Sequence, residues 1–150
     1  MLILAATPIG NLSDASARLI EHLTTAKYIA AEDTRNLLKL AQALNIKLSA
    51  KLFSLHEHNE SDRITEILRL AETEDVLVVS DAGMPTISDP GFVLVRAAVN
   101  AGIPVTVIPG PSAVISALAV SGLPTDRFSF EGFIPRKSGE SEKFFKALAN

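Results

Sequence analysis

The residues able to do chemistry in this chain sit in short polar runs, each following an apolar run without a gap. The richest is Ser80-Asp81-Ala82-Gly83-Met84-Pro85-Thr86-Ile87-Ser88-Asp89-Pro90-Gly91, which leaves Val76-Leu77-Val78-Val79 directly. Proline stiffens such a loop and glycine lets its backbone approach a ligand, while two carboxylates can orient a hydroxyl or accept its proton. Thr7 to Asn11, Glu32 to Arg35 and Pro109 to Ser112 have the same setting. Asp33 and Arg35 offer one carboxylate and one guanidinium, able to hold a hydroxyl or a phosphate. Pro109-Gly110-Pro111-Ser112 opens an apolar helical stretch and could present N–H groups to an anion, although Pro111 lacks one.

His56-Glu57-His58 suggests a metal, but two histidines two apart do not share a helix face. The chain has no cysteine, so carboxylates or His22 would have to complete the ligand set. A polar loop over a cleft is the better reading, with His56 or His58 as substrate contact or proton acceptor. No metal site is expected. Neither G-x-G-x-x-G nor G-x-x-x-x-G-K-[ST] occurs, which takes the usual support from dinucleotide and P-loop chemistry.

These loops need a frame. Leu2 to Ala6, Tyr28 to Ala31, Leu52 to Leu55, Val76 to Val79 and Val105 to Ile108 are short apolar runs of the kind buried on both faces of a parallel sheet. Helical spacing follows each one: Leu19, Ile20 and Leu23; Leu37, Leu38, Ala41 and Leu44; Ile64, Ile67, Leu68 and Ala71; Val95, Ala98 and Val99; and the run from Ala113 to Val120. Ser13 or Asp14, a residue near Thr34, and Ser61 are the expected helix caps. The expected fold is α/β, a mostly parallel five-stranded sheet with helices on both faces, which puts the loops on one edge.

From Asp126 the character changes. Phe128, Phe130 and Phe133 punctuate a strand expected over residues 127–134, and Phe144, Phe145 and Leu148 mark a helix after the basic Arg136-Lys137. The expected division is an N-terminal α/β domain over residues 1–124, with residues 125–150 as the first strand and helix of a second α/β domain.

At 150 residues and 47% hydrophobic content, the chain has material for one ordinary domain. A net charge of −3 gives no overall basic footprint, so nucleic-acid binding would need a local patch or another domain. No apolar run approaches the roughly 18 residues of a membrane span, and no leader pattern opens the chain, so a cytoplasmic protein away from membranes is expected.

Taken in order, Ala6-Thr7-Pro8-Ile9-Gly10-Asn11-Leu12, Ala31-Glu32-Asp33-Thr34-Arg35, His56-Glu57-His58-Asn59-Glu60, the run from Ser80 to Gly91, Pro109-Gly110-Pro111-Ser112-Ala113 and Glu131-Gly132-Phe133-Ile134-Pro135-Arg136 resemble the ribosomal RNA small-subunit methyltransferase I family, within the tetrapyrrole methylase superfamily. The resemblance implies transfer of a methyl group from S-adenosylmethionine to the ribose 2′-oxygen of a cytidine in small-subunit ribosomal RNA. It implies a cofactor folded between two α/β domains, with Ile9, Gly10, Asp81, Met84, Ser112 and Ala113 as its contacts. Members of that family are about twice as long, so this chain is similar to their N-terminal half, and by itself it is expected to bind cofactor poorly and not to methylate RNA.

The proton acceptor would come from Asp33, His56, Glu57 or Asp89 by loop position. Arg35, His58, Asn59, Arg136 and Lys137 would contact substrate. The implied partners are small-subunit ribosomal RNA or the 30S subunit and a second copy of the chain, with no membrane and no metal. Two other functions compete: methylation of a tetrapyrrole carbon, and a non-catalytic cofactor-binding or assembly role.

Overall fold

The computed structural model describes residues 1–56 and 60–148. Among the described residues five strands form one sheet: β1 (Leu2–Ala5), β2 (Tyr28–Ala31), β3 (Lys51–Ser54), β4 (Val76–Val79) and β5 (Val105–Ile108), in the order β3-β2-β4-β1-β5 with every pairing parallel. Among the same residues six α-helices accompany them: α1 (Ala17–Thr25), α2 (Thr34–Ala43), α3 (Glu60–Ala71), α4 (Phe92–Asn100), α5 (Ala113–Val120) and α6 (Ser138–Leu148).

Alternation along the strands divides the core in two. Leu2, Ala30, Phe53, Val76 and Val78 face one side, where Ile67 and Ala71 of α3 and Leu94 and Ala98 of α4 cover them. Ile3, Ala5, Ile29, Ala31, Leu77 and Val79 face the other, under Leu19 and Leu23 of α1 and Leu37 of α2. The expectation of helices on both faces of a parallel sheet is met, and the reason is topological. β1 to β2 and β2 to β3 step toward one edge, while β3 to β4 and β4 to β5 step toward the other. A right-handed crossover puts its helix on opposite faces for opposite steps.

The register makes the carboxyl ends level: Ala5 pairs with Val79 and Ile108, and Ala31 with Val79 and Ser54. The next residue of each strand therefore opens its loop at the same height. The helices that follow β1 and β2 leave toward one face, and the helix that follows β4, lying between them, leaves toward the other. Divergent loops on adjacent strands open a crevice at the sheet edge, the position where open α/β sheets bind ligands. Here β4 is flanked by two.

Local details differ from expectation in two places. Ser16 rather than Ser13 or Asp14 caps α1, its hydroxyl accepting from the Leu19 N–H at 3.0 Å. Residues Leu12–Asp14 are already spent on a 3₁₀ turn capped by Asn11. The side chain of Ser61, the expected cap of α3, lies outside the described residues. Residues 127–134 form no strand. Alternating phenylalanines suit a pleated face, but a strand also needs a neighbour to complete its ladder, and the sheet ends at β5.

The β5 flank is also the least covered. Thr106 and Val107 are exposed, and the strongly apolar α5 buries none of its residues, leaving Ile115 and Val120 in the open. Among the described residues no helix is long and apolar enough to cross a membrane.

Candidate functional site

The crevice between β1 and β4 is closed at its floor by hydrogen bonds between the two loops. Thr7 N–H donates to the Gly83 carbonyl at 2.9 Å and Gly83 N–H to the Thr7 carbonyl at 3.1 Å. The Thr7 hydroxyl, fully buried, donates to the Ser80 carbonyl at 3.2 Å. Ser80 is buried as well, and its hydroxyl reaches the Gly83 carbonyl at 3.3 Å. Loop composition suggested turns here, but neither Thr7 nor Ser80 was legible as a floor residue, because the Thr7 hydroxyl bonds a position 73 residues away.

Two glycines let a third loop join. A Cβ on Gly110 would stand 2.9 Å from Ala6 Cβ, closer than side chains pack, so β5's exit can lie against β1's only as glycine. Gly83 has φ +84°, and a Cβ there would touch Ile9 Cγ2 at 3.4 Å. The result is a cleft of about 230 Å³ lined by Ile9, Gly83, Met84, Asp89, Ser112 and Ala113, with Phe130 and Phe133 at its rim. Ser112 caps α5, its hydroxyl accepting from the Ile115 N–H. Of the six residues expected around a cofactor, Ile9, Met84, Ser112 and Ala113 are brought together here. Gly10, at φ +155°, a conformation that favours glycine, is exposed beside Ile9 and does not line the cleft.

Asp81 goes to the other side of β4. There, over the β2–β4 crevice, a more open hollow of about 480 Å³ is lined by Glu32, Asp33, Thr34, Arg35, Ser54, His56 and Asp81. Asp33 caps α2, accepting from the Arg35 N–H at 2.8 Å, and its carboxylate also takes the Arg35 guanidinium in a fork, Nη2 at 2.6 Å and Nε at 3.0 Å. These bonds hold the Asp33 carboxyl down at about 2, and Asp33 in turn raises Arg35. The Asp81 carboxylate accepts from Asn36 Nδ2 at 2.7 Å, and its backbone N–H donates to Glu32 Oε2 at 3.1 Å.

Two acids on this edge hold their protons more tightly than usual. Burial raises Glu32, and the neighbouring Asp81, Asp89 and Asp33 add to it, opposed by the Asp81 N–H. Burial also raises Asp89, opposed by a hydrogen bond from Ser80 and reinforced by Asp81. Asp89 thus faces the first cleft as a more basic carboxylate than Asp33 in the second hollow.

The remaining expected contacts lie elsewhere. Arg136 and Lys137 precede α6 and line neither hollow, and Lys137 Nζ lies 3.4 Å from Glu140. His58, Asn59 and Glu57 lie outside the described residues. His22 is at the opposite, amino-terminal edge, lining a hollow with Lys27 and Glu74, its Nδ1 2.9 Å from the Arg18 carbonyl. Among the described residues no three His, Asp or Glu side chains converge in a metal-holding group.

The frame and its edge define a doubly covered parallel α/β domain with a cleft at the exit of its central strands. The sequence profile of the family described as Tetrapyrrole (Corrin/Porphyrin) Methylases matches residues 1–150, and the chain belongs to that family. Individual relatives are narrower in name. The chain is 51% identical over 149 residues to the ribosomal RNA small subunit methyltransferase I of Mycobacterium tuberculosis (strain CDC 1551 / Oshkosh), covering 99% of this chain and 52% of that protein. Proteins of the same name from Xylella fastidiosa (strain Temecula1 / ATCC 700964) and Escherichia coli O157:H7 are 55% and 47% identical over 138 and 148 residues, covering 91% and 98% of this chain and 50% and 51% of theirs. The chain spans about half the length of the curated relatives it matches.

Proposed function

We propose that this chain carries the N-terminal, cofactor-binding half of an enzyme that methylates the ribose 2′-oxygen of a cytidine in small-subunit ribosomal RNA. The observation that carries the reading is the cleft at the β1–β4 crevice, where three loops meet in a family of methylases. The relatives' printed name favours RNA over a tetrapyrrole as acceptor.

The donor would be S-adenosylmethionine, and the residues present fit it. Ile9, Met84, Ala113 and Val114 offer apolar contact, and Ser112 and Asp89 add polar groups. When bound, this cofactor supplies an electrophilic methyl group on sulfonium. The chain's own part is to align and to move a proton, because a displacement of this kind needs no covalent nucleophile. Ile9 and Met84 would hold the donor in the cleft. Transfer would break the sulfur–carbon bond of the sulfonium as the oxygen–carbon bond formed, and the 2′-hydroxyl would have to give up its proton; the Asp89 carboxylate, made more basic by burial, is the acceptor best placed among Asp33, His56 and Asp89. Asp33 is committed to Arg35 and to the α2 cap. Arg35 at the second hollow, with Arg136 and Lys137, holds backbone phosphates, and His56 at the same hollow contacts the acceptor nucleotide.

At about 230 Å³ the cleft falls below the roughly 300–1,000 Å³ usual for ligand sites. The chain alone therefore binds cofactor weakly, and a second domain and a second copy of the chain complete the site, in the cytoplasm where ribosomal RNA is found. The test is mass spectrometry of small-subunit RNA treated with cofactor and this chain extended to its relatives' length. A methyl on a cytidine ribose is expected, and it should fall by about two to four orders of magnitude with Asp89→Asn, the span of general-base contributions. A methyl on a base, or transfer only to a tetrapyrrole, would overturn the reading. A protein that binds cofactor and RNA without any transfer would point instead to an assembly role.

A further inference from the structure

Asp81 opens the loop whose next residues, Ala82, Gly83 and Met84, line the cofactor cleft, yet its own groups are held from the other side of β4. Both holds come from the β2–α2 turn: Glu32 Oε2 on the Asp81 N–H at 3.1 Å, and Asn36 Nδ2 on the Asp81 carboxylate at 2.7 Å. The turn is itself fastened to the sheet, because Glu32 N–H donates to the Val79 carbonyl at 3.2 Å. The backbone of the loop is strained two turns of chain later, with Thr86 at φ 78° and Ser88 at φ 60°, conformations non-glycine residues adopt only when their surroundings hold them.

We propose that Glu32 is a positioning residue for the cofactor cleft: its carboxylate, with Asn36 as second anchor, fixes the Asp81 peptide and so sets where Gly83 and Met84 stand. This rests on the reading of the β1–β4 cleft as the cofactor site. Glu32 does not line that cleft and acts only through Asp81. The groups around it are Asp33 and Arg35 on its own turn, His56 after β3, and Asp81 and Asp89 on the β4–α4 loop. Four carboxylates close together would ordinarily push this loop away from the turn. The Asp81 N–H, a donor aimed at Glu32, is what makes the approach favourable.

Gln can still accept that N–H, whereas Ala cannot. Titration of the chain with S-adenosylhomocysteine, followed by amide resonances, should show affinity reduced about tenfold in Glu32→Ala, about threefold in Asn36→Ala, and less than about twofold in Glu32→Gln. The Asp81 amide gives a second readout that needs no ligand. It should be protected from hydrogen exchange in the unaltered chain and in Glu32→Gln, and lose protection in Glu32→Ala. Its resonance should follow pH with a midpoint above the ordinary glutamate value in the unaltered chain only. An Asp81 amide equally protected in all three proteins, or a Gln variant as weak as the Ala variant, overturns the proposal. Absence of any binding by the unaltered chain with the amide pattern as described would overturn the cofactor reading and leave the clamp standing.

Discussion

The two hollows beside β4 share one wall and are built by opposite means. The β1–β4 cleft is shaped by backbone: reciprocal bonds between Thr7 and Gly83, and glycines at 83 and 110 that let three loops touch. The β2–β4 hollow is shaped by charged side chains, with Asp33 gripping Arg35 and Glu32 and Asn36 gripping Asp81. A cleft made of backbone tolerates exposed neighbours but no added atom at its glycines. A hollow made of ion pairs tolerates added volume but responds to pH and salt.

Three perturbations separate these cases. The largest effect is expected from Gly110→Val, whose Cβ must displace Ala6 and part the β1 and β5 exits. It should lower stability by about 1–3 kcal/mol, measured by denaturant unfolding, and abolish cofactor titration, while Asp33 and Arg35 remain paired. Retained cofactor binding would show that the cleft does not depend on backbone approach.

Next comes Asp33→Ala, which removes the α2 cap and frees Arg35. Its carboxyl has a folded value of about 2 against the ordinary 3.8. The depressed group contributes stability present above pH 3.8 and lost as pH falls toward 2. The gap between unaltered chain and variant in thermal melts should therefore close over that window, with cofactor affinity changed less than about twofold because the Glu32 and Asn36 side chains that hold Asp81 are left in place. A loss of cofactor binding equal to that in Glu32→Ala would merge the two sites. The smallest effect belongs to Ser112→Ala. Its hydroxyl accepts from Ile115 N–H at a long 3.5 Å, so the α5 cap should cost only about 0.5 kcal/mol, the low end for such caps.

Much of the frame was legible because its signals are local. Val76 to Val79 is a run of four apolar residues between Asp75 and Ser80, and Gly102 and Gly122 stand just past helices, both at positive φ. The same locality misled at residues 127–134, where alternation alone cannot supply a neighbouring strand. It misled also at the α1 cap, where Asn11 and Ser16 divide a turn that Ser13 and Asp14 had seemed to start. In the site, Ile9, Met84, Ser112, Ala113 and Asp89 converge on one cleft, while Asp81 stands on the far side of β4 with Asp33, Arg35 and His56. Glu32 and Asn36 carried no mark of their role, since their partner lies 45 and more residues away.

By itself the sequence determined which segments become strands and helices, which loops leave the strands, and the family to which their residue types belong. Those properties depend on neighbours a few positions apart, through side-chain period, capping and turn chemistry. Only the tertiary structure decided that β4 lies between β2 and β1, and so that its loop is shared by two hollows. Strand order arises from how far each crossover steps and which face it covers, a choice made by packing among residues distant in the chain. The assignment of Asp81 to one hollow and Met84 to the other, three residues on, follows from that order alone.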